Sequence, residues 1–210
     1  MVLCILIVYG NISIFDIIMR KELNMNIDWT FISAREGGCK LDGYIPKSNG
    51  KVLDSSGVTI ATGFDVGQYS VNDLKKMGIP HDLVCILEPY CEYVGQEAEE
   101  NMDAMGVPQI TETEAFELDK ASHTRTLDLL KSKYNKVAQC CFEALHPQIQ
   151  TAIASVAFQY GTGLNRRTPM FWKQITEHDW TSAIANLKNF GDKYPSRRKL
   201  EAGLIESCMS

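Results

Sequence analysis

Residues 59–68 read TIATGFDVGQ, and this stretch determines how the first half of the chain is interpreted. Val58 to Phe64 is a short β-type run in which a hydroxyl side chain recurs. Two earlier runs, Leu41 to Pro46 and Lys51 to Leu53, have the same character. Turn-forming residues separate the runs, at Ser48-Asn49-Gly50 and Asp54-Ser55-Ser56-Gly57. The sequence therefore predicts a small β-hairpin or meander near the N-terminus.

From Ser70 onward the pattern is helical to the end of the chain. Ser70 with Asp73 predicts a capping box, in which each side chain bonds the other residue's backbone N–H. Thr111 with Glu114 predicts a second capping box, at the start of a long helix over about 111–136.

His146-Pro147 opens a helix that stays apolar or small through Ala157, which indicates a buried central helix. Three later starts are predicted at Thr168-Pro169, Asp179-Trp180 and Pro195-Ser196. The predicted architecture is α+β, with a small N-terminal β lobe and a larger helical lobe.

Upstream of the β runs, the apolar positions between Trp29 and Arg35 suit a short helix. Asp28 is a suitable N-cap, and Gly37-Gly38 is a suitable stop. Glu36 then falls at the helix C-terminus, where the negative end of the macrodipole favours the protonated carboxyl. A protonated carboxyl is the form that a general acid needs.

The composition excludes several classes of protein. With 210 residues, 45% apolar and 22% charged, the chain is an ordinary globular domain, or one domain plus an extension. No apolar run approaches the ~18–20 residues of a membrane span. Seven irregularly spaced cysteines and four scattered histidines predict neither a disulfide framework nor a zinc site. We expect no metal and no cofactor.

Charge is distributed unevenly along the chain. Residues 1–119 carry a net charge of −11 and residues 120–210 carry +6, which together give the overall −5. Residues 82–119 contain eleven Asp or Glu and no Lys or Arg. A nucleic-acid binder normally presents a dominant basic face, so nucleic acid is not an expected partner.

Four segments, in order, resemble the pesticin-type lysozymes within the broader phage-type lysozyme (muramidase) fold. Arg35 to Gly38, followed by the β region and residues 59–68, resembles the catalytic start of these enzymes. Ala157 to Gly163 resembles the Phe-Gln helix end of phage lysozymes. Two further matches are the helix at Asp179 to Leu187 and the Arg-Arg element at Ser196 to Ala202. The resemblance covers roughly residues 25–207.

The resemblance implies hydrolysis of the β-1,4 bond between N-acetylmuramic acid and N-acetylglucosamine in peptidoglycan. By position, Glu36 would be the general acid, while Thr59 and Asp65 would complete the catalytic set. Gln159 and Tyr160 would contact sugar or stem peptide. Two carboxyls in different environments can hold different protonation states, one donating a proton while the other activates water. If water attacks from the opposite face, the carboxyls should lie about 6.5–9.5 Å apart and the product inverts.

The identity of the second carboxylate stays open at this point. In other phage-type lysozymes it precedes the Thr by six residues, a position that is Leu53 here with Asp54 beside it. Asp54 suits a turn role, so we expect Asp65 ahead of Asp54. Asp42 is a third candidate.

Two other functions compete with a muramidase toxin or endolysin. One is a non-catalytic wall-binding module of lysozyme shape, and the other is a hydrolase of another amino-sugar polymer such as chitin. We expect a catalytic domain over residues 25–210, with residues 1–24 as an extension. The expected protein is a monomer made in a bacterial cytoplasm and acting in the cell wall of a target cell. A cognate immunity protein is a further expected partner if the protein is an antibacterial effector.

Overall fold

A computed structural model of the chain describes residues 27–35 and 38–209. Helices dominate, and a small antiparallel sheet accompanies them, so the predicted α+β class is confirmed. The chain divides into two compact units. Of the described residues, those between Ser33 and Leu129 form one unit, and those up to Ile32 together with those from Leu130 onward form the other. The predicted extension over residues 1–24 lies outside the described residues.

The unit Ser33–Leu129 contains all the strands that the described residues form. A three-stranded sheet has the order β1-β4-β5 and is antiparallel, while β2 and β3 form a separate two-stranded ribbon. The strands are β1 (Lys40–Tyr44), β2 (Lys47–Ser48), β3 (Lys51–Val52), β4 (Thr59–Ala61) and β5 (Phe64–Asp65).

The predicted run from Val58 to Phe64 is divided into two strands in the structure. The chain reverses at Thr62-Gly63, and residues on both sides of Thr62 take positive φ angles, +53° at Ala61 and +86° at Gly63. Glycine adopts this left-handed backbone readily, whereas alanine does so at a cost. A β-type composition continues through the turn, so composition alone does not mark the reversal.

Helices pack against this sheet within the same unit. They are α2 (Val71–Lys76), α3 (His81–Leu87), α4 (Gly95–Met105) and most of α5 (Glu112–Tyr134), with 3-10 turns at Val66–Gln68 and Glu88–Tyr90. Both predicted capping boxes are confirmed by reciprocal hydrogen bonds, at Ser70/Asp73 and Thr111/Glu114. The apolar core of the unit includes Val58, Ile60, Val66, Leu74, Leu83, Leu87, Ala98 and Leu118.

The second unit, which contains the described residues from Leu130 onward and is called the helical unit below, is built around a buried helix, as predicted. Helix α6 (Pro147–Tyr160) is buried continuously from Ile149 to Ala157. Helix α1 (Trp29–Ser33) belongs to this unit through Trp29, whose ring meets Phe158 edge-on at 5.6 Å. The remaining helices are α7 (Leu164–Arg167), α8 (Pro169–Thr176), α9 (Trp180–Lys188) and α10 (Pro195–Glu206), with a 3-10 turn at Phe142–Ala144.

A buried ionic network joins α6 to α10 in the helical unit. Glu201 is fully buried and accepts hydrogen bonds from the Ser155 hydroxyl at 2.5 Å, from Arg197 Nε at 3.2 Å and from Arg198 Nη1. Arg198 also donates to Asp192 at 2.8 Å. Burial of charge is tolerated only where partners are present, and here every charge has one. Arg197 and Arg198 therefore serve a structural role and do not form part of a solvated helix face.

Candidate active site

The β4–β5 hairpin brings Thr59 and Asp65 together. Its register pairs Thr59 with Asp65 and Ile60 with Phe64. Directly opposite residues of an antiparallel pair project from the same face, with Cβ atoms about 4.5–5.5 Å apart. Thr59 is buried, and its hydroxyl donates to the carbonyl oxygen of Gly57 at 3.2 Å. A hydroxyl and a carboxyl thus stand side by side on one short hairpin.

Three donors hold the carboxyl group of Asp65. Its Oδ1 accepts from the backbone N–H of Gly57 at 3.0 Å and of Gly67 at 3.1 Å. Its Oδ2 accepts from Gln68 Nε2 at 3.3 Å. The bond from Gly67 makes Asp65 the N-cap of the 3-10 turn Val66–Gln68. The local chain therefore fixes the direction of this carboxyl.

Two glycines make that arrangement sterically possible. A Cβ at Gly67 would lie 2.2 Å from the carbonyl oxygen of Tyr93, and a Cβ at Gly57 would lie 2.5 Å from the same oxygen. A Cβ at Gly57 would also lie 2.6 Å from the Cα of Gly67. These backbone segments approach so closely that only glycine fits, and their N–H groups then converge on Asp65.

The pKa of Asp65 is raised above its usual range. Burial of the carboxyl raises the pKa, while the hydrogen bonds from Gly57, Gly67 and Gln68 lower it, and burial dominates. Asp65 therefore takes up a proton at a higher pH than an ordinary aspartate. A half-buried carboxyl with a shifted pKa and fixed geometry is a feature of functional sites.

The two other carboxylates considered from the sequence have different surroundings. Asp54 is exposed in the turn after β3. Asp42 is exposed as well, and its Oδ1 accepts from Gln109 Nε2 at 2.9 Å. Asp65 is the one of the three that is half-buried and held by backbone N–H groups.

Glu36 lies outside the described residues, so its role as general acid stays a prediction. The helix that leads to it is confirmed through Ser33, and the predicted N-cap is present because Asp28 Oδ1 accepts from the N–H of Phe31 at 2.9 Å.

Gln159 and Tyr160 end helix α6 in the helical unit. The Tyr160 hydroxyl donates to Asp192 Oδ2 at 2.8 Å. Burial favours a higher pKa for Asp192, but hydrogen bonds from Tyr160, Tyr194 and Arg198 outweigh it and lower that pKa. The Oε1 atom of Gln159 is buried and accepts no hydrogen bond from the described residues.

Tyr160 also lines a cavity of about 350 Å³ within the helical unit. Aromatic, cationic and amide side chains share its wall, and the lining residues are Tyr160, Arg167, Thr168, Pro169, Met170, Phe171, Asn186, Phe190, Gly191 and Asp192. An open, mixed apolar and polar cavity of this size suits part of a sugar or peptide.

Sequence reasoning missed three residues with site contacts. Gln68 belongs to the quoted motif, so its position beside Asp65 could have been inferred from the spacing. No sequence pattern indicates the roles of Asp192 and Asp119, because each one hydrogen-bonds a residue far away in the sequence. Asp192 accepts from Tyr160, and Asp119 accepts from Thr62.

The described residues contain no group of three or more His, Cys, Asp or Glu side chains that could hold a metal ion. In that same part of the chain, no helix is long and apolar enough to cross a membrane.

Comparison with known protein families gives a match over most of the chain. A family model described as "Pesticin: Bacterial toxin homologue of phage lysozyme, C-term" matches residues 26–181, which is well over half of the chain. No curated protein sequence matches the chain significantly.

Proposed function

Because the chain belongs to the pesticin family of bacterial toxins homologous to phage lysozyme, we propose that it is a muramidase. Its substrate is peptidoglycan, and the bond cleaved is the β-1,4 link between N-acetylmuramic acid and N-acetylglucosamine. The observation that carries the proposal is the half-buried carboxyl of Asp65, held by two backbone N–H groups opposite Thr59.

The reaction divides between two carboxyls. Glu36, as a protonated acid, donates its proton to the leaving glycosidic oxygen as the bond to the sugar breaks. Asp65, as a carboxylate, accepts a proton from water and directs the water at the anomeric carbon, while the Thr59 hydroxyl hydrogen-bonds the same water. The fixed direction of Asp65 supports this role, because a base must be aimed at the water that it activates.

The half-buried position of Asp65 supports the same role. A carboxyl with raised pKa is a stronger base than one in bulk water once it is ionised. The bonds from Gly57, Gly67 and Gln68 favour the ionised form, which keeps the group available as a base despite its burial.

The proposed substrate contacts lie on the helical unit. Gln159 carries a buried amide oxygen without a hydrogen-bond partner among the described residues at the end of α6, and the adjacent Tyr160 lines the cavity described above. We include residues 25–210 in the catalytic domain. The proposed setting is the cell wall of a target cell, with the protein acting as a monomer and an immunity protein protecting the producer.

The test measures new reducing ends released by the full chain from peptidoglycan and, separately, from chitin oligomers. The proposal predicts release from peptidoglycan and its loss in Glu36→Gln. Release of reducing ends only from chitin would identify chitin as the substrate in place of peptidoglycan. Tight binding to peptidoglycan without release of reducing ends would indicate a wall-binding module. The matched control is Glu97→Gln, which makes the same change at an exposed position of helix α4.

A further inference from the structure

The turn that joins Thr59 to Asp65 has an unfavourable backbone. Ala61 takes φ +53°, a region in which a residue with a Cβ is uncommon, and Gly63 takes φ +86°. Such conformations cost about 1–3 kcal/mol for a non-glycine residue and persist only where surrounding contacts impose them. Some contact from outside the hairpin must therefore hold this turn.

Strand β1 pairs with Ala61 through Lys40, and Asp119 of the long helix α5 contacts the next residue, Thr62. Its Oδ1 accepts from the backbone N–H of Thr62 at 3.1 Å, and its Oδ2 accepts from the Thr62 hydroxyl at 2.6 Å. Both oxygens of one carboxyl thus hold the single residue between Ala61 and Gly63. Hydrogen bonds to an ionised acceptor are about twice as strong as neutral ones.

The helix that carries Asp119 is itself anchored. Leu118, the preceding residue, is fully buried, and Ala115 one turn earlier is buried too. Both belong to the apolar core that includes Ile60 of strand β4. Asp119 therefore extends toward the turn from a helix that is packed into the same core as strand β4.

The register of the hairpin determines whether the candidate catalytic groups meet. Because side chains alternate between the faces of a strand, a shift of one residue would turn Asp65 away from the face of Thr59. The three-residue loop Ala61-Thr62-Gly63, between the paired residues Ile60 and Phe64, sets this register. Whatever fixes Thr62 therefore also fixes the Thr59–Asp65 pair.

We propose that Asp119 is a positioning residue for the reaction: it holds the β4–β5 turn so that Asp65 and Thr59 face the same water. It touches neither substrate nor the reacting atoms. This inference rests on the proposed muramidase function, since Asp65 and Thr59 have their roles only within that reaction.

The first experiment measures kcat and KM on soluble peptidoglycan glycan chains with the full-length protein. Asp119→Ala should lower kcat by about 10- to 100-fold, the cost of misplacing a reacting group, with little change in KM. Asp119→Asn keeps an acceptor for the Thr62 N–H and should recover most of kcat. Thr62→Val removes only the hydroxyl bond and should lower kcat less than Asp119→Ala. Asp128→Ala, at an exposed position on the same helix, is the control.

A second measurement does not depend on activity. Amide hydrogen exchange at Gly57 and Gly67 reports the two N–H groups that hold Asp65. Exchange should be faster in Asp119→Ala and unchanged in Asp128→Ala. If the wild type releases no products but this exchange pattern holds, the muramidase proposal and the catalytic meaning of the positioning fail, while the hold of Asp119 on the hairpin stands.

Two results would overturn the inference. One is wild-type kcat in a folded Asp119→Ala variant, together with unchanged exchange at Gly57 and Gly67. The other, which applies even if Asp119→Ala does not fold, is wild-type kcat and exchange in Thr62→Val.

Discussion

Gly67→Ala tests the backbone arrangement that directs Asp65. The new Cβ would lie 2.2 Å from the carbonyl oxygen of Tyr93 and 2.8 Å from the Cα of Gly57. Both contacts are with backbone, so no side-chain rotation can relieve them. Overpacking typically costs about 1–3 kcal/mol, and a clash with backbone should reach the upper end, about 3 kcal/mol. For a chain of this size that corresponds to a fall in Tm of about 6–12 °C.

The same change at Gly203 is the matched control. Gly203 lies inside helix α10, and a Cβ built there would have no neighbour within 4 Å. Alanine is the better helix former by about 1 kcal/mol, so Gly203→Ala should raise Tm by about 2–4 °C. The assay is thermal unfolding followed by circular dichroism, with peptidoglycan hydrolysis measured in parallel.

Activity should fall in Gly67→Ala even below its Tm, because the displaced Gly67 N–H no longer holds Asp65. A Gly67→Ala variant with wild-type Tm and wild-type activity would refute the steric reasoning. A fall in Tm with unchanged activity would refute the link between this backbone and the site.

Three further predictions concern ionisable groups. The pKa of Asp65 is raised, so the acidic limb of the kcat/KM profile should lie above the ordinary Asp value of about 3.9. Gln68→Leu removes a hydrogen bond that favours the carboxylate and should move this limb to still higher pH. A wild-type limb at or below about 3.9 would contradict the raised pKa. Burial lowers the pKa of His123 to about 3, below the value of about 6.5 expected in the unfolded chain. Because the unfolded state therefore binds the proton first as the pH falls, acid favours unfolding. Urea denaturation should show a loss of about 2 kcal/mol in the free energy of unfolding between about pH 7 and about pH 5. His123→Leu should flatten that pH dependence, and an unchanged slope would exclude His123 as its source. Arg198→Met should destabilise the fold by about 3–5 kcal/mol in the same assay because Glu201 stays buried with fewer partners, and combining Arg198→Met with Glu201→Leu should recover stability. A loss of stability that the double change does not reverse would contradict the pairing of these two side chains.

The local parts of the fold could be predicted from the sequence. The caps at Asp28 and Ser70 are correct because a capping side chain bonds a backbone N–H two or three residues away. The buried helix α6 was predicted because its apolar and small residues are continuous in the sequence.

The tertiary contacts could not be predicted in this way. The reversal at Thr62-Gly63 is stabilised by Asp119, 57 residues away, and no local pattern indicates such a partner. The burial of Arg198 depends on Glu201 in its own helix but also on Asp192 and on Ser155 of α6, which anchors Glu201. An arginine pair followed by a glutamate reads in isolation as a solvated helix face.

The candidate site was predictable only in its motif. The spacing between Thr59 and Asp65 resembles the family pattern, and the structure adds what the spacing lacks: their pairing across a hairpin and the donors that hold Asp65. Asp54 and Asp65 could not be separated by residue type, because their difference is one of burial and hydrogen bonding.

The most direct test of the proposed function is mass spectrometric identification of the sugar at the new reducing ends of digested peptidoglycan. We expect N-acetylmuramic acid at those ends for the wild type, and no digestion by Glu36→Gln or by Asp65→Asn. N-acetylglucosamine at the new ends would contradict the muramidase assignment. Undiminished digestion by Asp65→Asn would contradict the catalytic role of the β4–β5 hairpin.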